Sequence, residues 1–297
     1  MIRCERATVA RAGRVVVEAV TFAVTSGQAA ALIGRSGAGK SSLLAAAAAA
    51  LPLHAGDILV DGRSVRREAA AVRRLVGYVP GRLPSWPGVR AEEFLRLFAA
   101  GAGLVGRAGR TAVGKALDMA GLAGRGDAPV DALPAGHAKR LLVARAILHD
   151  PEVLLLDDPF GGLDPAERRD VERLVGDAHL MGRTVLAAVD DAVLPSCFTH
   201  LAVLAEGRLV ASGPHDPAVF AAGRGWTCTL TCRGSADAAV RVAGPLVETA
   251  RAVDADTVTL TLDPARGELA DVVAAVVRAG LRVDAAGFDP PWTAQLV

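Results

Sequence analysis

The sequence predicts an α/β protein, with a mostly parallel sheet between helices, followed by a small α+β sandwich. Three observations carry this. Short apolar runs suited to buried strands (29–33, 153–156, 184–189) alternate with helical stretches, the βα order of a parallel sheet. A Gly-rich segment, Gly34 to Gly39, separates the first of these strands from an Ala/Leu-rich helix. Beyond a composition break at Gly223-Arg224-Gly225 the order becomes βαββαβ, the pattern of a ferredoxin-like sandwich. The expected domains are 1–224, with a helical subdomain at about 82–145, and 225–297.

Each element has a local reason. Residues 1–30 alternate apolar and polar around turns at Ala12-Gly13 and Ser26-Gly27, which reads as two β-rich segments. Asp61-Gly62 signals a second hairpin. Residues 88–145 read as helical, and Phe94, Leu95, Leu97 and Phe98 have the spacing of a core-facing stripe. Eight glycines between Gly101 and Gly126 predict a loosely held lobe, because each costs a helix interior up to ~1 kcal/mol. A helix is expected from Pro165. After the break come a strand at 226–231, a helix at 236–243 and a hairpin turning at Asp254-Ala255-Asp256. A helix at 267–279 and a strand at 281–285 complete the chain's expected elements.

Composition excludes several function classes. With 297 residues, 52% hydrophobic and a net charge of +1, the chain is built for a packed core and lacks the basic excess of a nucleic-acid footprint. The mean hydropathy of +0.34 is membrane-like. Yet the longest apolar run, Leu43 to Leu53, falls short of the ~18–20 residues that span a bilayer. Met1 to Glu5 lacks the apolar core of a signal peptide, and four cysteines supply no disulfide framework, so a cytoplasmic protein with reduced thiols is expected. Cys228 and Cys232 lack the second Cys/His pair that a tetrahedral metal site needs.

Chemistry concentrates between residues 34 and 42. Gly34-Arg35-Ser36-Gly37-Ala38-Gly39-Lys40-Ser41 fits the phosphate-loop pattern and lies between a strand and a helix start, where the pattern has mechanical meaning. Its glycines let backbone N–H groups converge on phosphate at a helix N-terminus. Lys40 supplies charge to the β/γ oxygens, and the Ser41 hydroxyl is a candidate Mg²⁺ ligand. Asp157 closes the strand that starts at Val153, the place for a carboxylate that holds Mg²⁺ through water. A plain loop cap is the competing role for that residue.

This combination resembles the ATP-binding subunit of an ABC transporter over residues 3–220. The resemblance rests on the phosphate loop, on Tyr78-Val79-Pro80-Gly81, and on Leu133-Pro134-Ala135-Gly136-His137 at the signature position. Leu154-Leu155-Leu156-Asp157-Asp158-Pro159 and Gly162-Leu163-Asp164 follow in the family's order. It implies a P-loop NTPase fold of ABC type, with a tail from Trp226 like the accessory domain of ABC-2-class exporter ATPases. It implies ATP and Mg²⁺ as cofactors, with Gly34, Ser36, Gly37, Gly39, Lys40, Ser41 and Ser42 on the phosphates, Arg11 at the adenine position, and Ser41 and Asp157 on the metal. Gly136 is implied to donate to a nucleotide held by the opposite subunit. The implied partners are transmembrane permease subunits and a second ATP-binding subunit, in a heterodimer rather than a homodimer, on the inner face of the cell membrane. Arg82, Leu83 and Trp86 fall where a permease helix is received, with core burial the competing role for Trp86.

Several positions depart from the family pattern. Gly81 stands where a Gln contacts Mg²⁺ and water. Asp158 replaces the Glu that polarises water, retracting the carboxylate by one methylene, and ~1 Å of misplacement costs on the order of 10²-fold in rate. Asp190 stands where a His meets the γ-phosphate, and capping the following turn is its alternative role. Pro134 has neither hydroxyl nor N–H, and Ala135 replaces a glycine. The expectation is a chain that binds Mg-ATP and hydrolyses it weakly or not at all, within an ABC-2-type exporter. The alternative is a non-transport pseudo-ATPase that senses nucleotide or acts as a scaffold.

Overall fold

The computed structural model describes residues 1–34, 36–189, 194–214, 226–262 and 269–289. The chain forms two compact units, Met1–Asp191 with Pro195–Pro214, and Ala192–Leu194 with His215–Val297. Among the described residues no helix is long and apolar enough to cross a membrane.

The first unit contains two sheets. Strands β1 (Ile2–Arg11) and β2 (Arg14–Val24) pair antiparallel through the two-residue loop Ala12-Gly13, where both residues have positive φ (47° and 77°), as a turn matching strand twist requires. Strand β3 (Ala29–Ile33) and helix α1 (Lys40–Ala47) follow. Strands β4 (Ala55–Val60) and β5 (Arg63–Ser64) then turn at Asp61-Gly62, again with positive φ (48° and 76°). The antiparallel sheet has the order β2-β1-β4-β5.

Helix α2 (Ala69–Leu75) leads into strand β6 (Val76–Val79), then into the helices α3 (Ala91–Gly101), α4 (Gly106–Met119) and α5 (Ala135–Ile147). Strand β7 (Val153–Asp157), helix α6 (Pro165–Leu180) and strands β8 (Thr184–Val189), β9 (His200–Ala205) and β10 (Arg208–Pro214) complete the unit. The second sheet has the order β10-β9-β3-β8-β7-β6, parallel from β9 to β6 with β10 antiparallel at one edge. Every residue of β3, β7 and β8 is buried, which is why these strands read as unbroken apolar runs.

The helical lobe has its own core, built on Phe94, Leu95, Val113, Leu117, Leu122 and Leu141. Two expectations about it are corrected. Of the eight glycines only Gly109 and Gly114 occupy helix interiors; Gly101 is the last residue of α3, and Gly103, Gly106, Gly121 and Gly124 adopt positive φ at helix ends and turns, where glycine costs little. The glycines therefore shape the lobe rather than loosen it. Leu97, expected in the core, is 56% exposed because it faces away from Phe94 and Leu95 on α3.

In the second unit, strand β11 (Trp226–Thr231), helix α7 (Ala236–Ala243), strands β12 (Thr249–Ala252) and β13 (Thr257–Leu262), helix α8 (Leu269–Arg278) and strand β14 (Ala285–Asp289) form one antiparallel sheet with two helices. The strand order β12-β13-β11-β14 is that of the ferredoxin-like fold expected from βαββαβ. Its core includes Leu230, Cys232, Ala239, Leu260, Val272 and Val276. Asp254 Oδ1 accepts from the N–H groups of Asp256 and Thr257 at 2.8 and 2.7 Å, fixing the expected hairpin.

The last strand is shifted from the expected 281–285. Leu281 and Val283 alternate like a strand, but they pack on this unit's core ahead of it, and pairing with β11 runs from Ala285 opposite Thr231 to Asp289 opposite Thr227. The expected helix start at Gly267 and the composition break at Gly223-Arg224-Gly225 lie outside the described residues.

Candidate functional site

The buried strand β3 delivers the chain to the Gly-rich loop at the carboxyl edge of the parallel sheet. A Cβ at Gly34 (φ 152°) would overlap the Leu204 carbonyl, and one at Gly39 (φ 99°) would stand 2.5 Å from the Val16 oxygen. Gly37 (φ 85°) meets nothing, so its requirement is conformational alone. Gly39 is the N-cap of α1, with no side-chain capping bond, and the helix N-terminus opens on the loop. Lys40 is 7% exposed, and its ammonium donates to the Gly34 carbonyl at 2.7 Å, folding the side chain back over the loop.

Asp157 ends β7, separated from β3 by β8 alone. Ser41 Oγ donates to Asp157 Oδ1 at 2.8 Å, so the hydroxyl and the carboxylate meet. Both are hard oxygen donors, the type Mg²⁺ prefers, and the pair fits that ion. A cavity of about 310 Å³ gathers Ser36, Gly37, Gly39, Lys40, Ser41 and Ser42 with Asp157, Asp158, Arg11 and Val16. That volume is at the lower end of the range for ligand sites, ~300–1,000 Å³. A larger hollow of about 890 Å³, lined by residues such as Arg73, Tyr78, Phe98 and Arg145, holds none of the loop residues.

Asp158 sits beside Asp157 in a left-handed backbone conformation (φ 46°), uncommon for a side chain with a Cβ. Its N–H donates to the Ala188 carbonyl at 2.9 Å. Its carboxylate lies against Gly161, where any Cβ would overlap it. Gly81 lies beside the same strand end, for a Cβ there would stand 3.4 Å from Asp157 Oδ2. The glycine thus leaves open the place from which a side chain would reach the Asp157 carboxylate. Burial, with the nearby Asp157 charge, pushes the Tyr78 hydroxyl up to about 12.

Sequence reasoning missed Lys139 and Glu167. Lys139 reaches from α5 to donate to the Gly81 carbonyl at 2.9 Å and to the Asp158 carbonyl, with its ammonium 3.8 Å from Asp158 Oδ2. Burial holds this lysine below the usual range, while Asp158 and Asp157 oppose the shift. Lys139 lies three residues from both Gly136 and Leu142, buried positions of α5, and so shares their inward side of the helix. Gly136 itself is buried, and its N–H donates to Glu167 Oε1 at 3.0 Å rather than standing open. Leu83, expected as a partner contact, and Trp86, expected as a partner contact or as core, both pack on the helical lobe, with Trp86 edge-on to Phe94 at 5.2 Å. Arg82 is exposed. Asp190 lies outside the described residues, as does Arg35.

The parallel sheet, the loop at its carboxyl edge and the carboxylate on a nearby strand define a P-loop nucleotide-binding protein. Residues 17–161 match the family model described as ABC transporter. The Nod factor export ATP-binding protein I of Burkholderia orbicola (strain AU 1054) is 34% identical over 205 residues, 68% of this chain and 67% of that protein. Its namesake in Burkholderia pseudomallei (strain 1710b) is 34% identical over 67% of this chain, and the chain spans 66% of that relative's length. The linearmycin resistance ATP-binding protein LnrL of Bacillus subtilis (strain 168) is 27% identical over 63% of this chain and 60% of its own. Among solved structures, a dimeric ATP-binding cassette in a post-hydrolysis state with ADP and Pi superposes with a TM-score of 0.66. It has 21% identity and covers 72% of this chain and 98% of that one. The chain belongs to the ABC transporter ATP-binding proteins, and its relatives include exporter subunits.

Proposed function

We propose that this chain is the ATP-binding subunit of an ABC-2-type exporter that holds Mg-ATP at a subunit interface and turns it over weakly. The Ser41–Asp157 hydrogen bond carries the binding half of this reading, because it joins the last loop hydroxyl to the carboxylate where a magnesium ion belongs. Mg²⁺ held there would neutralise phosphate charge. Gly34, Ser36, Gly37, Gly39, Lys40 and Ser42 would cradle the phosphates, with Arg11 on the adenine side.

The weak-turnover half rests on three features that act together. Gly81 offers no side chain to a water or a metal. Asp158 is retracted by one methylene and packed on Gly161. Pro134 and Ala135 give the signature position no hydroxyl and one amide fewer. In this reading the chain joins transmembrane permease subunits and a better-equipped second ATP-binding subunit at the inner face of the membrane, and bound ATP serves chiefly to hold the subunits together.

Calorimetry with Mg-ATP, paired with phosphate release by the purified chain, tests both halves. Saturable binding lost in Lys40→Ala, with turnover far below ~1 s⁻¹, is the expected pair of results. Turnover at or above that rate, abolished by Lys40→Ala, refutes the weak-turnover half, and absence of any nucleotide binding refutes the whole.

A further inference from the structure

The cavity around the phosphate loop is electrostatically balanced before any ligand arrives: Arg11 and Lys40 face Asp157 and Asp158. Mg-ATP would bring about two net negative charges, one more than Mg-ADP, and its last phosphate would stand close to the two carboxylates. Beside two carboxylates, a further cation in the protein would favour the nucleotide that carries the extra charge.

Lys139 is positioned for that part. It is rooted in α5 of the helical lobe, 11% exposed, and it reaches the loop ends of two neighbouring strands. Its ammonium donates to the carbonyl of Gly81, beyond β6, and to that of Asp158, beyond β7, and approaches Asp158 Oδ2 at 3.8 Å. Gly81 carries no side chain of its own beside Asp157, so a cation there must come from another element. Carbonyl dipoles and the Asp158 and Asp157 carboxylates around this desolvated lysine favour its charged form, and in a medium poorer than water a charge acts over a longer range.

We infer that Lys139 is a positioning and specificity-determining residue, a built-in cation that holds Asp158 and offsets its charge so that the site prefers ATP to ADP. This rests on the reading of the cavity as the nucleotide site. It acts through Asp158 and through the field at the cavity, without touching the nucleotide.

Calorimetric titrations of the full chain with Mg-ATP and Mg-ADP, on wild type, Lys139→Met, Lys139→Gln and Lys139→Arg, decide it. The wild type is expected to bind ATP at least about tenfold more tightly than ADP, the scale of one elementary charge in a partly buried site. Methionine and glutamine should remove most of that preference while ADP affinity changes less than about threefold. Arginine should retain it. Glutamine keeps hydrogen-bond donors without the charge, so it separates the electrostatic role from a structural one, and circular dichroism with ADP binding identifies any variant that has lost its fold. Equal binding of the two nucleotides by the wild type overturns the inference without recourse to any variant. So does an equal loss for ATP and ADP in a folded variant. If neither nucleotide binds the wild type, the reading of the cavity fails instead.

Discussion

The backbone N–H of Gly136 donates to Oε1 of Glu167 at 3.0 Å, so the first turn of α5 already holds an anion supplied by α6. The other carboxylate oxygen accepts from the Asp164 N–H at 3.3 Å, while Asp164 Oδ1 caps Ala166 and Glu167 at 2.8 and 2.9 Å. Glu167 thus closes a capping box on its own helix and blocks the α5 N-terminus at once. A phosphate brought there by a second subunit would meet a carboxylate. Glu167→Ala should therefore strengthen ATP-dependent self-association about fivefold or more by sedimentation velocity, while lowering unfolding stability by roughly 1 kcal/mol through loss of the box. Glu167→Gln should keep the stability. Unchanged association in both variants would show that this helix end does not meet nucleotide.

Gly39 should tolerate no side chain. Its φ of 99° is costly for any residue with a Cβ, and that Cβ would stand 2.5 Å from the Val16 carbonyl oxygen. Gly39→Ala is expected to lower stability in urea by ~2 kcal/mol or more and to abolish nucleotide binding. Gly37→Ala, which meets no neighbour but has the same class of backbone, should cost less.

The helical lobe offers a contrast between two aromatic side chains in contact. Trp86 stacks edge-on with Phe94, and its indole Nε1 is buried with no hydrogen-bond partner among the described residues. Trp86→Phe removes that unsatisfied donor and should cost under ~1 kcal/mol. Phe94→Ala, at a position 1% exposed, should cost ~3–5 kcal/mol. Chemical denaturation of the two variants tests the difference, and equal losses would contradict the unpaired indole.

Stability should fall on mild acidification. Burial, the largest influence, lowers the His149 pKa from its ordinary 6.5, although its hydrogen bond to the Val76 carbonyl opposes the shift. Below pH 6.5 the unfolded chain then binds a proton that the folded chain resists, so the stability contributed by neutral His149 is present above that pH and lost as pH falls through the folded value. His137 shifts the same way, through desolvation and the neighbouring Arg140. Denaturation midpoints between pH 7.5 and pH 5 should decline, and less steeply in His149→Gln. Identical slopes in variant and wild type would exclude His149 as the source.

The sequence revealed elements that depend on near neighbours and missed what depends on distant ones. The phosphate loop is one contiguous pattern at fixed spacing, and the hairpins at Ala12-Gly13 and Asp61-Gly62 are set by two residues each, so local chemistry is enough. Asp157 was legible because a buried parallel strand can end in only one place. Lys139 and Glu167 were not, because their partners lie 58 and 31 residues away, at Gly81 and Gly136. The last strand slipped by four residues because Leu281 and Val283 alternate as a strand does while packing ahead of it. Periodicity records which side faces apolar neighbours, and pairing begins only where a partner strand is available.

Helix α5 places two cations on carbonyls beyond or within the parallel sheet: Lys139 on Gly81 and Asp158, and Arg145 on Tyr78. Arg145 also stacks over Phe98 of the helical lobe at 5.0 Å. Releasing α5 would strip the donors from three carbonyls at the edge of the sheet and part Arg145 from Phe98, so the lobe is costly to melt alone. The lobe and the β6–β7 edge are thus bound into one cooperative unit. A tilt of the lobe would pull, through these two side chains, on the Tyr78, Gly81 and Asp158 carbonyls, the backbone beside Asp157.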